Sequence, residues 1–126
     1  VYRSSDGFTI LCGRNNKQND KLTLKTAKNY DLWRHTQGIA GSHVIVEADG
    51  KEIPSSTITE AAMIAAYHSK GRDSAQVAVD YTLIRNVKKP AGARPGMVIF
   101  TDYQTAFVTP DESFVLSLAD NSVKRT

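Results

Sequence analysis

The chain of 126 residues has one cysteine, Cys12, so it cannot form an internal disulfide, and a reducing compartment is the default expectation. Its cysteine and three histidines lack the C-x-x-C and H-E-x-x-H spacings of zinc sites, so no metal is predicted. No run of 18 apolar residues is present, which excludes a transmembrane helix. No basic-then-apolar leader opens the chain. We therefore expect a cytoplasmic globular protein with no membrane partner.

Motifs of the common enzyme classes are also missing. There is no G-x-S-x-G nucleophile elbow, and the segment 92–96 does not end in the G-K-[ST] of a nucleotide P-loop. Ser42, Asp31 and either His35 or His43 could be arranged as a triad, and either histidine could serve as an acid–base group on a nucleic acid. We predict that the chain is not an enzyme and needs no cofactor, with nucleic-acid modification as an alternative.

The net charge of +3 is unevenly distributed. Residues 1–45 carry seven Lys/Arg and three Asp/Glu, whereas residues 46–82 carry three and six. Residues 83–96 carry four cations and no acid. If the fold brings the two basic segments together, they form one positive patch that attracts phosphates.

Apolar runs and turn residues predict a mixed fold. Phe8 to Cys12 is a predicted strand that pairs with Tyr2 to Ser4 across the Asp6-Gly7 turn. Further strands are predicted at residues 31–35, 43–47 and 76–84, and a final hairpin at 97–100 and 105–109.

Two helices are predicted between these strands. A short one spans residues 21–28 and is capped by Asn19 or Asp20, and a long one begins at Ile58, after a Thr57–Glu60 capping box, and runs to about Ser69. Residues from 117 onward are predicted to fray. The order favours a single α+β domain over residues 1–126, with a mainly antiparallel sheet, one long helix and one short helix.

The segment 13–20 is the most distinctive part of the chain, since it has no apolar residue in eight positions. It combines amide donors and acceptors with positive charge, which suits RNA. The alternative is a solvated, Asn-rich turn. The residues predicted to contact RNA here are Arg14, Asn15, Asn16 and Gln18.

Three other places could contribute to the same surface. Trp33 and His35 share one face of a predicted strand, where the indole could stack on a base, unless Trp33 belongs to the core. Ser42 and His43 follow Gly41 in a turn that exposes a hydroxyl and an imidazole, or that is purely structural. The proline-stiffened segment 88–96 is predicted to meet phosphates through Lys88, Lys89 and Arg94.

These motifs, in this order, resemble the NFACT-R family. The runs are G-R-N-N-K-Q-N-D-K-L-T at 13–23, D-L-W-R-H at 31–35 and G-S-H-V-I at 41–45, continued by 61–69, 79–82 and 87–96. The resemblance covers residues 2 to about 112. This chain has Ala40 where the family usually has proline, which loosens the turn before Gly41.

The resemblance implies an RNA-binding module that forms the C-terminal portion of a larger multidomain protein. Such proteins are often labelled fibronectin- or fibrinogen-binding protein A. They act in ribosome-associated quality control, where they bind an obstructed large ribosomal subunit, recruit tRNA and promote template-free alanine tailing. The implied partners are tRNA, the large ribosomal subunit and the other domains of the full-length protein. A fibronectin-binding adhesin domain is the alternative function.

Overall fold

The computed structural model describes residues 1–119 and contains eight strands in that part of the chain. They are β1 (Tyr2–Arg3), β2 (Thr9–Cys12), β3 (Leu32–Thr36), β4 (Val44–Val46), β5 (Val77–Leu83), β6 (Val87–Lys88), β7 (Ile99–Phe100) and β8 (Gln104–Val108). Six of them form one antiparallel sheet in the order β1-β2-β4-β3-β5-β8, and β6 pairs with β7 in a separate ribbon.

Three α-helices accompany the sheet within the described residues. They are α1 (Asn16–Lys21), α2 (Ser55–Tyr67) and α3 (Glu112–Ser117); α1 continues into a π-helical segment, Leu22–Thr26, and a 3-10 turn spans Ile84–Asn86. The α+β class with a mainly antiparallel sheet is confirmed. The prediction had one short helix, whereas the structure has two, because α3 forms in a stretch to which no element was assigned. The predicted fraying from residue 117 falls mostly on residues outside the described part. Residues 120–126 lie outside the described part.

The main core lies between the sheet and α2. Small residues on α2 let the helix lie close to the strands, and they are completely buried, as are the strand residues opposite them. A second, smaller core covers the other face of the sheet, beneath the π-helical segment and the β6–β7 ribbon. Its buried members are Trp33, Ile45, Ile84 and Val87.

Strand β3 supplies both cores, because neighbouring residues on a strand point to opposite faces. Leu32 belongs to the α2 side and Trp33 to the other. Arg34 also lies on the α2 side, where it is 0% exposed and its Nη1 donates to the carbonyl of Ile58 at 2.6 Å. Its guanidinium lies 5.1 Å from the Tyr81 ring centroid, and burial lowers the pKa of Arg34 to about 9.

The predicted Thr57–Glu60 capping box is wrong. Helix α2 begins at Ser55, and both side chains instead bond to the β1–β2 turn. The Thr57 hydroxyl donates to Asp6 Oδ2 at 2.7 Å, while Glu60 accepts from the backbone and hydroxyl of Ser5 at 2.8 and 2.5 Å. The side chains that the local pattern assigned to capping the helix therefore form hydrogen bonds to residues distant in the sequence.

The predicted final hairpin is also wrong. Strand β7 pairs with β6, and β8 pairs with β5 at the edge of the main sheet. The other strand predictions are confirmed with shifts of one or two residues, including the β1–β2 hairpin, in which Tyr2 lies opposite Ile10.

Candidate nucleic-acid interface

The polar segment that the sequence favoured as a loop is the start of α1. Asn15 is the N-cap, and its Oδ1 accepts from the backbone N–H of Gln18 at 2.8 Å. Gln18 Oε1 in turn accepts from the N–H of Arg14 at 2.9 Å. The predicted helix at 21–28 therefore begins five residues early, and these two amides serve first to fold the segment. Arg14 and Asn16 remain exposed.

Helix α1 is tied to the basic loop that follows β6. Asp20 Oδ1 accepts from the N–H of Gly96 at 2.9 Å, and Asp20 Oδ2 lies 3.2 Å from Lys89 Nζ. Lys89 Nζ also donates to the carbonyl of Arg94 at 2.6 Å. Gly96 has φ +86, and a Cβ there would lie 2.7 Å from Asn16 Oδ1, so this position requires glycine. The two basic segments thus share one face, which meets the condition that the charge pattern left open.

Desolvation raises the pKa of Asp20, but the bonds from Gly96 and Lys89 outweigh it and hold the pKa below its ordinary value. The carboxylate is therefore ionised at neutral pH and neutralises Lys89. Since Lys89 is committed to this ion pair, its charge is not fully available to a ligand.

A cleft that we call the wide groove opens between α1 and the basic loop, with a volume of about 900 Å³. Asn16 and Lys17 form one wall, residues 94–97 form the other, and His35 and His43 contribute to the floor. Among the described residues that line it there is no Asp or Glu.

A second cleft, the narrow groove, lies between the start of α1 and the end of α2, with a volume of about 490 Å³. Three cations line it, Arg14, Lys70 and Arg72, and again no acidic residue of the described chain does. Arg72 is held in place, because its Nε donates to the carbonyl of Tyr67 at 2.9 Å and its guanidinium lies 4.2 Å from that ring centroid. A ridge shared by both grooves separates them and consists of Asn15, Asn16, Asn19, Ala40 and Gly41.

Aromatic rings support the floor of the wide groove from below. Trp33 is only 1% exposed; it stacks on His35 with centroids 6.2 Å apart, and its ring centroid lies 4.7 Å from that of Phe100. The prediction that Trp33 could stack on an RNA base is therefore wrong, and the core alternative is correct. The indole instead fixes the position of His35.

The two histidines of the floor are held differently. His43 is 2% exposed, its N–H donates to Asn19 Oδ1 at 3.1 Å, and its Nδ1 lies 2.8 Å from Thr23 Oγ1. Burial and the neighbouring His35 lower the pKa of His43 to about 4. His35 is half-buried, its Nε2 donates to the carbonyl of Gly41 at 3.2 Å, and burial lowers its pKa as well. At neutral pH the floor therefore offers uncharged ring edges.

Comparison with known proteins identifies the family of the chain. A family model described as "NFACT protein RNA binding domain" matches residues 1–102. The chain belongs to this family. The resemblance inferred from the sequence is confirmed.

Similar proteins agree with the assignment to the NFACT RNA-binding domain family. The Rqc2 homolog RqcH of Bacillus subtilis is 52% identical over 118 residues, which is 94% of this chain and 20% of that protein. The Rqc2 homolog RqcH of Streptococcus pneumoniae is 44% identical over 119 residues, 93% of this chain and 21% of that protein. The chain thus spans about a fifth of the length of these curated relatives.

A solved structure shares the fold. It is the C-terminal part of the fibronectin/fibrinogen-binding protein from Streptococcus suis, with a TM-score of 0.90 and 42% identity, covering 94% of this chain and 48% of that one.

The other predicted site residues of this NFACT domain are divided between the grooves and the rest of the surface. Arg94 lines the wide groove and Ser42 the narrow one, where the Ser42 N–H donates to the carbonyl of His68 at 3.2 Å. Lys88 is exposed on β6 and lines neither groove. Lys70 and Arg72 were not predicted, because they lie in the acidic stretch of the sequence, residues 46–82.

Two further properties of the described residues bear on function. Within residues 1–119, no three His, Cys, Asp or Glu side chains come together as a metal site. None of the helices described is long and apolar enough to cross a membrane.

Proposed function

We propose that this domain binds RNA in the two grooves and serves as the RNA-binding module of a ribosome-associated quality-control factor. The observation that carries the proposal is the pair of adjoining clefts on one face, surrounded by cations and lined by no acidic residue of the described chain. Such a surface attracts the phosphate backbone, and its amide edges can select among unpaired bases. The description of the family supports RNA as the ligand.

The proposed mechanism is positioning without bond chemistry. His43 is almost completely buried and bonded to Thr23, and the Nε2 of His35 faces a backbone carbonyl, so neither ring is placed to transfer a proton to a ligand. We therefore propose that the domain is not an enzyme and acts without a cofactor. Cleavage of a labelled RNA by the wild-type chain, lost in a His35→Gln variant that remains folded, would contradict this.

The finer assignment concerns partners. We propose that the RNA is tRNA or RNA of the large ribosomal subunit, and that the domain acts in the cytoplasm beside other domains of a longer protein during template-free alanine tailing. The names of the relatives from Bacillus and Streptococcus pneumoniae support this assignment. The fibronectin/fibrinogen-binding name of the Streptococcus suis relative supports an adhesin function as the second candidate.

The test uses two variants that remove equal charge. Arg14→Gln/Arg94→Gln removes one cation from each groove, and Lys51→Gln/Lys88→Gln removes two exposed cations outside both. The groove variant should lower affinity for tRNA and flatten the plot of log K against log salt by about 1.4, from about 0.7 for each single-stranded contact. The control variant should keep the wild-type slope.

Equal loss in both variants would contradict the grooves as the binding site. The same proteins are measured in parallel against fibronectin. Binding of fibronectin that depends on the grooves, without binding of tRNA, would favour the adhesin function instead.

A further inference from the structure

The two grooves differ in chemistry, although they share a ridge. The narrow groove is lined by Arg14, Lys70 and Arg72, together with the hydroxyl-bearing Ser42 and Ser69. Cations without a neighbouring carboxylate suit a phosphate group. The wide groove has fewer cations, a partly apolar wall and neutral ring and amide edges, which suit a base.

The cations of the narrow groove are held by local structure. Arg72 is fixed on Tyr67, as described above, and the backbone N–H of Lys70 donates to the carbonyl of Ala40 in the ridge at 3.0 Å. No carboxylate of residues 1–119 pairs with the ammonium of Lys70. Its charge is therefore available to a ligand, in contrast to that of Lys89.

The wide groove has a wall on which a flat ring can rest. Pro95 and Met97 form it, and Met97 is 50% exposed. A methionine thioether makes favourable contacts with aromatic rings. Opposite this wall, the exposed Asn16 can present both an amide donor and an acceptor to a base edge.

We propose that the two grooves together take one unpaired RNA nucleotide, with its base in the wide groove and its phosphate in the narrow groove, so that the sugar crosses the ridge at Asn15, Asn16 and Gly41. This rests on the proposed function. The two volumes, about 900 and 490 Å³, fall in the range of about 300–1,000 Å³ that small ligands occupy. A paired base is stacked between neighbours and cannot enter the groove alone, so single-stranded segments are preferred.

The experiment measures the binding of two variants to each of two ligands. The ligands are a short single-stranded RNA and the same backbone without its bases, measured by fluorescence anisotropy at several salt concentrations. Lys70→Gln probes the narrow groove and Met97→Ala the wide one. The matched controls are Lys88→Gln and Ile99→Ala, which alter exposed residues that line neither groove.

Lys70→Gln should weaken both ligands by the same factor and reduce the salt slope by about 0.7. Met97→Ala should weaken only the RNA that has bases, by about 2- to 10-fold, which is the fold-change of a sulfur–aromatic contact. The controls should bind as the wild type does.

Two results would overturn the placement of the nucleotide: Lys70→Gln behaving like Lys88→Gln, or Met97→Ala weakening the abasic backbone as much as the complete RNA. If Arg14→Gln/Arg94→Gln still weakens binding in that case, only this placement fails. If no groove variant changes RNA affinity, the proposed function fails with it.

Discussion

Replacing Gly13 by alanine should destabilise the domain, because there is no room for the added Cβ atom. A Cβ at this position would lie 2.1 Å from Asn19 Oδ1 and 3.1 Å from Asn19 Cα. Asn19 is 3% exposed, and its Oδ1 accepts from the N–H of His43. The alanine therefore displaces the amide that satisfies a buried backbone donor at the floor of the wide groove.

The expected loss of stability has two parts. Leaving the His43 N–H without its partner costs about 1–3 kcal/mol, and forcing an extra methyl group into a packed site costs about 1–3 kcal/mol. We expect Gly13→Ala to reduce the free energy of unfolding by about 2–6 kcal/mol. Asn19→Ala alone should cost about 1–3 kcal/mol, since it loses only the hydrogen bond.

The two substitutions should not add. With Asn19→Ala in place, the atom at 2.1 Å is gone and the hydrogen bond is already lost, so Gly13→Ala should cost little more. Urea unfolding of the wild type, both single variants and the double variant measures the coupling, which we expect to be about 2–6 kcal/mol, close to the whole cost of Gly13→Ala. Additive losses, or a stable Gly13→Ala variant, would refute the reasoning.

Two other expectations concern the buried polar residues His43 and Thr57. The pKa of His43 is about 4 in the folded chain and about 6.5 in the unfolded one, so the unfolded chain takes up the proton first as the pH falls. The free energy of unfolding should therefore be highest above pH 6.5 and fall by about 3 kcal/mol as the pH drops to 4. His43→Gln should flatten that part of a plot of unfolding free energy against pH, and an unchanged slope would contradict the assignment. Thr57→Val should cost about 1–3 kcal/mol in urea unfolding, because Asp6 and Ser4 each lose one of their hydrogen bonds, while RNA affinity stays at the wild-type value. Loss of affinity without loss of stability would contradict that separation.

The parts of the fold that follow from local patterns were predictable. Runs such as Thr9–Cys12 and Val77–Leu83 are β-rich and bounded by turn residues, and the small apolar residues of α2 indicate a helix against a sheet. The pairing of β8 with β5 was missed, because the choice between two possible partners is settled by contacts distant in the sequence.

The candidate site was predictable in position but not in detail. The charge pattern marked residues 13–20 and 85–96 as basic segments but left open whether they meet, and the Asp20–Gly96 bond shows that they do. Polarity suggested a solvated loop, yet Asn19 is buried because its amide satisfies a backbone group 24 positions away. No local signal distinguishes a polar residue on the surface from one that is buried and bonded. The sequence also gives no local signal that Lys70 belongs to the site, because Lys70 reaches it only where the end of α2 lies beside Gly41.

The alternation of β3 gives this domain a simple rule for engineering. Even-numbered positions from Leu32 to Thr36 face the α2 side, and odd-numbered positions face the other side, where Trp33 belongs to the second core and His35 lines the wide groove. A library that varies Leu32 and Arg34 would change mainly the thermal stability of the domain, whereas one that varies His35 would change mainly the ligand that it binds. Stability and binding can therefore be selected separately within five consecutive residues. Inserting one residue in this strand would exchange the two sets, and we expect such insertions to be absent from any functional population.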